Sequence, residues 1–393
     1  MPSPLRFGLF IPPIQSPGES PTLLLERNLE LIQHCDRLGY HEAWVGEHHS
    51  GGWELIAAPE LFIATAAERT RHIRLGTGVN SLAYHHPLVL AGRIVLLDHL
   101  TRGRIMMGIG PGSLASDAIA MGIEPTETRR MAEEGLEAIL ALLACDGPVT
   151  RETDWFTLRC ARLHVAPYQH PRFPISVAAA ISPSGPRLAG RFGLGMLSVG
   201  AASPAGLAVL ANLWQVAEEV AAEHGQQVRR DEWAVCGALH IADTVEEARR
   251  DMRRGLMEWR EYMGSLSGMP IDLSISDVDQ AVDEMNEGKF AVIGTPEMAI
   301  AHIEGLLEQT GGFGSFLLTI GDWGGREGQL RSIDLIARKV IPHFSGQLAA
   351  PRAAWAEMKA DAAQLKATIR GAQALAAERH AAEKAAKTAE RSA

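Results

Sequence analysis

The sequence predicts an α/β fold, a single (β/α)8 TIM barrel with insertions, followed by a C-terminal helical extension. Three observations carry that prediction. Short apolar, β-rich runs recur along the 393 residues at 7–11, 43–46, 73–78, 104–109, 175–179, 196–199, 234–241 and 315–320. Stretches of helical period separate them, which implies parallel strands joined by right-handed crossovers. Polar or glycine-rich residues follow successive runs, as expected where the carboxyl ends of barrel strands build a site. A doubly wound open sheet is the alternative arrangement, and eight units make closure the simpler one.

Taken in order, the first run (F-G-L-F-I) leads into Ile11-Pro12-Pro13. Residues 22–38 place Leu25, Leu29, Ile32 and Leu38 on one stripe, and Gly39 supplies a helix stop. The second run ends in E-A-W-V-G-E-H-H-S-G-G-W (42–53), which sets Glu47, His48 and His49 side by side after an apolar strand. The third gives G-T-G-V-N-S (76–81) and then A-Y-H-H-P (83–87); the fourth gives G-I-G-P-G-S (108–113). A helix is predicted over 127–144, with Met131, Leu136, Ile139, Leu140 and Leu143 as its apolar face. Residues 145–174, with D-W-F-T-L-R inside, read as a hairpin excursion, and A-A-I-S-P-S-G-P (179–186) follows the fifth run. The long mixed stretch 255–293 precedes the helix start G-T-P-E, and insertions of this length on barrels tend to serve as lids. Two domains result: the barrel over 1–348, and an Ala-, Glu- and Lys-rich helical tail over 349–393.

Composition excludes several classes of function. A hydrophobic share of 46% and a charged share of 21% are those of a globular protein. A net charge of −10 argues against a nucleic-acid partner, because phosphate backbones need a basic surface. No apolar run approaches the roughly 20 residues needed to span a bilayer, and the first residues have no basic leader or cleavage site. Cys35, Cys145, Cys160 and Cys236 are scattered without a C-x-x-C pair, as reduced thiols of a cytoplasmic protein would be.

Three stretches offer chemistry. G-I-G-P-G-S fails the dinucleotide spacing, since Ser113 stands at the third glycine position and Pro111 lies inside the turn; its glycines would still let a flat ligand approach the backbone. S-P-S-G-P-R-L-A (182–189) opens a helix, with Ser182 and Ser184 as caps and free N–H groups suited to a phosphate. Glu47, His48, His49, His85 and His86 could in principle bind a metal, but no H-x-x-x-H or H-E-x-x-H spacing occurs. Adjacent residues of an extended segment point to opposite faces. One imidazole, His48, is therefore expected at the barrel mouth as a proton-transfer group, and His49 as its structural neighbour held by backbone.

These motifs together resemble the bacterial-luciferase-like flavin monooxygenases, most closely their limonene-monooxygenase-like group. The resemblance rests on F-G-L-F-I-P-P (7–13), E-A-W-V-G-E-H-H (42–49), I-R-L-G-T-G-V-N-S (73–81), the block from His85 to Gly112, D-W-F-T-L-R (154–159), A-I-S-P-S-G-P-R-L-A-G-R-F-G-L-G (180–195) and the late G-T-P-E with G-G-F-G-S-F-L-L. It implies an enzyme that binds reduced FMN supplied by a separate reductase, forms a flavin C4a-(hydro)peroxide with O2, and oxygenates a small hydrophobic substrate such as a terpene, ketone or aldehyde. It implies His48 and Glu47 as catalytic residues. It places a non-prolyl cis peptide at Gly78–Val79, Asn80 at the polar edge of the flavin, and Gly110, Gly112 and Ser113 beside the ring. Ala180, Ser182, Pro183, Ser184 and Gly185 match its phosphate cup, and Arg129 its phosphate-pairing arginine. A homodimer through residues 57–70 and 87–99 is also implied. Luciferase α chains differ at three of these positions: here Pro111 stands for their arginine, Gly110 for their cysteine and Ile181 for their glutamate. Two other readings remain at this point: an F420-dependent oxidoreductase on the same fold, and a non-catalytic flavin-binding protein.

Overall fold

Barrel strands are covered by helices outside and packed on one another inside, so each reads as a nearly continuous apolar run. A computed structural model of the protein describes residues 4–12, 14–266, 271–289 and 291–390. Its strands are β1 (Arg6–Ile11), β2 (Glu42–Val45), β3 (Arg74–Ser81), β4 (Ile105–Gly110), β5 (Val149–Glu152), β6 (Thr157–Ala161), β7 (Ile175–Ala179), β8 (Gly195–Ser198), β9 (Trp233–Ile241), β10 (Ala291–Gly294) and β11 (Ser315–Thr319). Eight of them pair in parallel in the order β1-β2-β3-β4-β7-β8-β9-β11. The circle closes where Arg6 of β1 faces Ser315 of β11. These are the eight predicted runs.

The remaining strands fall in the insertions. β5 and β6 pair antiparallel, the hairpin expected within 145–174. β10 was not anticipated: it lies inside the stretch read as mixed and extends the outer half of β9, with Ala291 opposite Ala238 and Gly294 opposite Ile241. The same stretch carries helices Leu256–Leu266 and Val278–Glu287. Residues 267–270 and 290 of it, and Pro13 after β1, lie outside the described residues.

Helix Pro21–Leu38 ends as predicted, with Gly39 at φ 83° closing back on Asp36 and Cys35. Its buried apolar residues are Leu24, Leu29, Leu31, Ile32 and Cys35, so Leu29 and Ile32 are buried as predicted, while Leu25 and Leu38 are only half-buried and Leu24, Leu31 and Cys35 complete the face. Helix Thr128–Ala144 buries Met131, Leu136, Ile139 and Leu143 as expected, with Leu142 in place of Leu140. Asp36 ties the entry of β3 to the first helix by accepting the N–H groups of Arg71, His72 and Ile73 at 2.9, 2.8 and 2.7 Å.

Inside the barrel, Trp44, Met106, Leu197, Ala234, Cys236 and Leu317 form a packed layer, with Phe10, Val79 and Val199 above it only partly covered. Trp44 fits across this layer because Gly76 lacks a side chain; a Cβ there would lie 2.5 Å from the indole. The layer floors the barrel and leaves the carboxyl ends of the strands open for a site. The chain as a whole forms two compact units, Met1–Ile341 and Pro342–Ala393. The second carries helices Ala349–Ala360 and Ala362–Glu390.

Candidate active site

Above that layer, a cavity of about 1130 Å³ opens among the residues that follow the strands. Glu47, His48, Gly78, Val79, Gly110, Gly112, Ser113, Arg129, Ala180, Ser182, Pro183, Ser184 and Gly185 all line it. Asn80 is the exception among the predicted residues. It is wholly buried, behind the cavity lining, at the end of a shift in the β3–β4 register between Thr77 and Asn80. Its Nδ2 donates to Glu47 Oε2 at 3.4 Å, and its Oδ1 is buried without a protein partner. The Gly78–Val79 peptide bond is cis, where the resemblance placed one.

The carboxylates separate the two adjacent histidines. Glu47 is 3% exposed and its Oε1 accepts from His49 Nε2 at 2.9 Å and His85 Nε2 at 2.7 Å. Its Oε2 accepts the Ser81 N–H at 3.1 Å. A carboxylate only accepts, so both rings carry their proton on Nε2. Burial alone would raise the Glu47 carboxyl, but the bonds from His49, His85 and Ser81 outweigh it and hold the group below its ordinary value. The same carboxylate raises His49. His49 is thus held by a side chain, where the sequence suggested backbone.

His48 faces the cavity and pairs with a residue that sequence reasoning missed. Its Nδ1 donates to Asp117 Oδ2 at 2.9 Å. Asp117 Oδ1 accepts the His49 N–H at 3.0 Å and the Ser50 hydroxyl at 2.5 Å. Burial works to lower His48, yet the Asp117 bond, with the nearby charges of Glu54, Asp117 and Glu47, raises it overall. Asp117 itself is 1% exposed; desolvation is outweighed by the His48 and Ser50 bonds, which hold it low. The arrangement fixes the ring and leaves Nε2 as the nitrogen able to move a proton at the cavity wall. Asp117 sits in helix Ala115–Ala120 just past β4, and an aspartate shortly after a strand end was the available signal.

At another part of the same cavity, helix Ser184–Phe192 begins after β7. Pro183 is its N-cap residue and no side chain caps it. The predicted capping by Ser182 and Ser184 is replaced by a bond between their hydroxyls at 2.8 Å, because Pro183 holds the cap position, with Ser182 before it and Ser184 already in the first turn. Gly185 is required here: a Cβ would lie 2.2 Å from the Ala178 carbonyl oxygen. Four arginines, Arg129, Arg130, Arg187 and Arg191, line this end. Arg130 is engaged by Glu127, Glu134 and Asp154, and Arg191 by Glu133 and Glu137. Arg129 and Arg187 have no ion-pair partner among the described residues. With a helix N-terminus, they make this end of the cavity anion-seeking.

Glu133, paired with Arg191, and His224 and Ser81 also line the cavity, and much of the remaining wall is apolar, built from Phe10, Ile14, Leu82, Ile109, Leu114 and Met263. Two further polar residues, Glu54 and Tyr262, also line it. Among the described residues, no group of three or more His, Cys, Asp or Glu side chains is placed to hold a metal ion, and no helix is long and apolar enough to cross a membrane.

Comparison with known proteins fits this geometry. The profile of the luciferase-like monooxygenases matches residues 5–312. The chain is 48% identical to limonene 1,2-monooxygenase of Rhodococcus erythropolis over 342 residues, 87% of each protein. It is 46% identical to 4-hydroxyprotoasukamycin monooxygenase of Streptomyces nodosus subsp. asukaensis, over 88% of this chain and 93% of that one. The oxygenating constituent of 3,6-diketocamphane monooxygenase from Pseudomonas putida, solved with FMN, superposes with a TM-score of 0.71 at 26% identity, covering 86% of this chain and 98% of that one. A barrel of this topology, with its cavity at the strand ends and a profile match over most of its length, belongs to the luciferase-like monooxygenase family.

Proposed function

We propose that this enzyme uses reduced FMN, delivered by a separate flavin reductase, and O2 to oxygenate a small hydrophobic organic molecule such as a terpene, ketone or aldehyde. One observation carries the reading: a single cavity joins an anion-seeking end at Arg129, Arg187 and the Ser184 helix start to a half-buried His48 held by Asp117. An elongated ligand with a phosphate at one end and a reactive ring at the other suits that shape.

The residues present fit FMN. Gly78 and Gly110 both line the cavity and offer bare backbone to a flat ring. Ser182, Ser184, the Gly185 N–H, Arg129 and Arg187 would hold the phosphate. When bound, reduced FMN supplies the electrons that activate O2. Phe10, Leu82, Ile109 and Leu114 keep water from the reacting centre. His48 Nε2 exchanges a proton there, and Asp117 keeps that nitrogen in position and steadies the ring when it is charged. Glu47, committed to His49, His85 and Ser81, acts by positioning the loop that carries His48.

Two copies of the chain are proposed to pair through helices Pro59–Arg69 and Pro87–Leu100. Leu61, Val89, Leu96 and Leu100 are 70%, 49%, 59% and 57% exposed there, a concentration of apolar surface that association would cover. A monomer at micromolar concentration by sedimentation would refute the pairing.

The central test mixes the protein, a flavin reductase, FMN and a monoterpene or ketone panel under 18O2. The expected result is one labelled oxygen in the product, dependent on reduced FMN. Tight binding of F420H2 with no binding of FMN would overturn the reading.

A further inference from the structure

Among the described residues that line the cavity, Glu54 is the acidic residue with a buried carboxyl oxygen that has no protein partner. Its backbone is pinned, because Glu54 bridges Ile14 of the loop after β1 and the neighbouring Trp53 carbonyl accepts the Gln15 N–H at 2.8 Å. Tyr262, from the insertion after β9, donates its hydroxyl to Glu54 Oε1 at 2.7 Å. Tyr262 is itself 6% exposed and stacks on Trp53 at 4.9 Å with 22° between the rings. Glu54 Oε2 is buried and has no protein partner. A buried carboxyl oxygen left unpartnered is costly, and this one belongs to a residue lining the cavity beside Ile14, Leu114 and Met263.

We propose that Glu54, with Tyr262, forms a polar subsite that holds a hydroxyl or carbonyl oxygen of the substrate. The enzyme then prefers an oxygen-bearing hydrophobic molecule to the corresponding hydrocarbon. The inference rests on the reading of the cavity given above and narrows its substrate class. Burial and the nearby Asp117 charge raise the Glu54 carboxyl, so its neutral form, which donates to a carbonyl, is within reach, while its ionised form accepts from a hydroxyl. Sites built to pair a substrate oxygen discriminate strongly against analogues lacking it, because the protein group is otherwise left unsatisfied.

The test uses three probes of one carbon skeleton: limonene, the alcohol carveol and the ketone carvone. Each is titrated by calorimetry into the full-length protein with oxidised FMN and no reductant, so that nothing turns over. Wild type is expected to bind carveol or carvone about tenfold more tightly than limonene, the worth of one buried hydrogen bond. Glu54→Leu should abolish that preference, and Glu54→Gln, whose amide both donates and accepts, should keep part of it. FMN affinity, measured on the same samples, should be unchanged in both variants. Equal wild-type affinity for all three probes, no binding of any, or a preference that survives Glu54→Leu would each overturn the subsite. If FMN binds normally in those cases, the flavin reading stands while the subsite falls; failure of FMN to bind removes both.

Discussion

Replacing Asp117 with asparagine tests how the cavity histidine is controlled. The substitution keeps the shape of the side chain, and its carbonyl can still accept from the His49 N–H and the Ser50 hydroxyl, now at 3.0 and 2.5 Å from Asp117 Oδ1. What changes is the contact at His48 Nδ1, now 2.9 Å from Oδ2. An amide NH2 there donates, so Nδ1 must accept and the ring proton moves to Nε2. A hydrogen bond to a charged group contributes about 1.5–3 kcal/mol and a neutral one about 0.5–1.5 kcal/mol, so the exchange costs about 1–2 kcal/mol while His48 is protonated. The sign follows from linkage. His48 is raised by Asp117, so its share of stability is full below its unfolded value of 6.5 and is lost as pH rises through the folded value. Asp117 is lowered, so its share is present above 3.8 and is lost as pH falls through its folded value. Urea unfolding of wild type and Asp117→Asn should therefore differ most between pH 3.8 and 6.5, and progressively less as pH rises above that window or falls below it. The His48 titration, followed by NMR of its ring proton, should move down, and the pH profile of turnover with it. A stability difference independent of pH, or a His48 titration that stays put, would refute the pairing as the controlling interaction.

Other outcomes follow from the same structure. Arg129→Ala and Arg187→Ala should each weaken FMN binding about ten- to hundredfold, the worth of a charge-assisted contact. Riboflavin, which lacks the phosphate, should bind both variants as it binds wild type by fluorescence titration; equal losses for both ligands would move the phosphate elsewhere. Gly185→Ala sets a Cβ against the Ala178 carbonyl, so thermal unfolding should show a loss of about 1–3 kcal/mol together with weaker FMN binding. Asp36→Ala removes the acceptor of three backbone N–H groups and should cost about 2–4 kcal/mol at neutral pH. Asp36 is held low by those bonds against its burial, so the penalty should shrink as pH falls below 3.8; a penalty constant down to pH 2 would contradict the role.

The sequence reveals the barrel because its strands are buried on both faces and its helices are amphipathic, so local patterns report the tertiary fold. β10 escapes that logic: four residues abutting a helix start give no period to detect. The edges of helix faces escape for a related reason: Leu29 and Ile32 are buried as predicted, but whether Leu24 and Leu31 or Leu25 and Leu38 join them is chosen by the neighbours the helix packs on, which the sequence does not display. The cavity lining was legible because a barrel sends the residue after each strand to one end. Its side-chain partners were not. Asp117 reaches His48 across 69 positions, and Tyr262 reaches Glu54 across 208. Asn80 lies behind the lining rather than in it, next to a register shift in β3 and β4 that no local pattern in the sequence announces.

The histidine pair shows what a short motif can and cannot say. Glu47, His48 and His49 are contiguous, and contiguity suggests that the carboxylate serves the histidine beside it. Strand geometry sends alternate side chains to opposite faces, so Glu47 and His49 share one side while His48 takes the other. Glu47 is then drawn into a buried network with His85 and Ser81, and His48 must find its carboxylate on another element. Two separate carboxylates give the two histidines different duties within one turn of chain. If a single carboxylate served both, Glu47→Gln and Asp117→Asn would shift the His48 titration alike. With the division seen here, only Asp117→Asn removes the charge hydrogen-bonded to His48, and Glu47→Gln should act chiefly on stability.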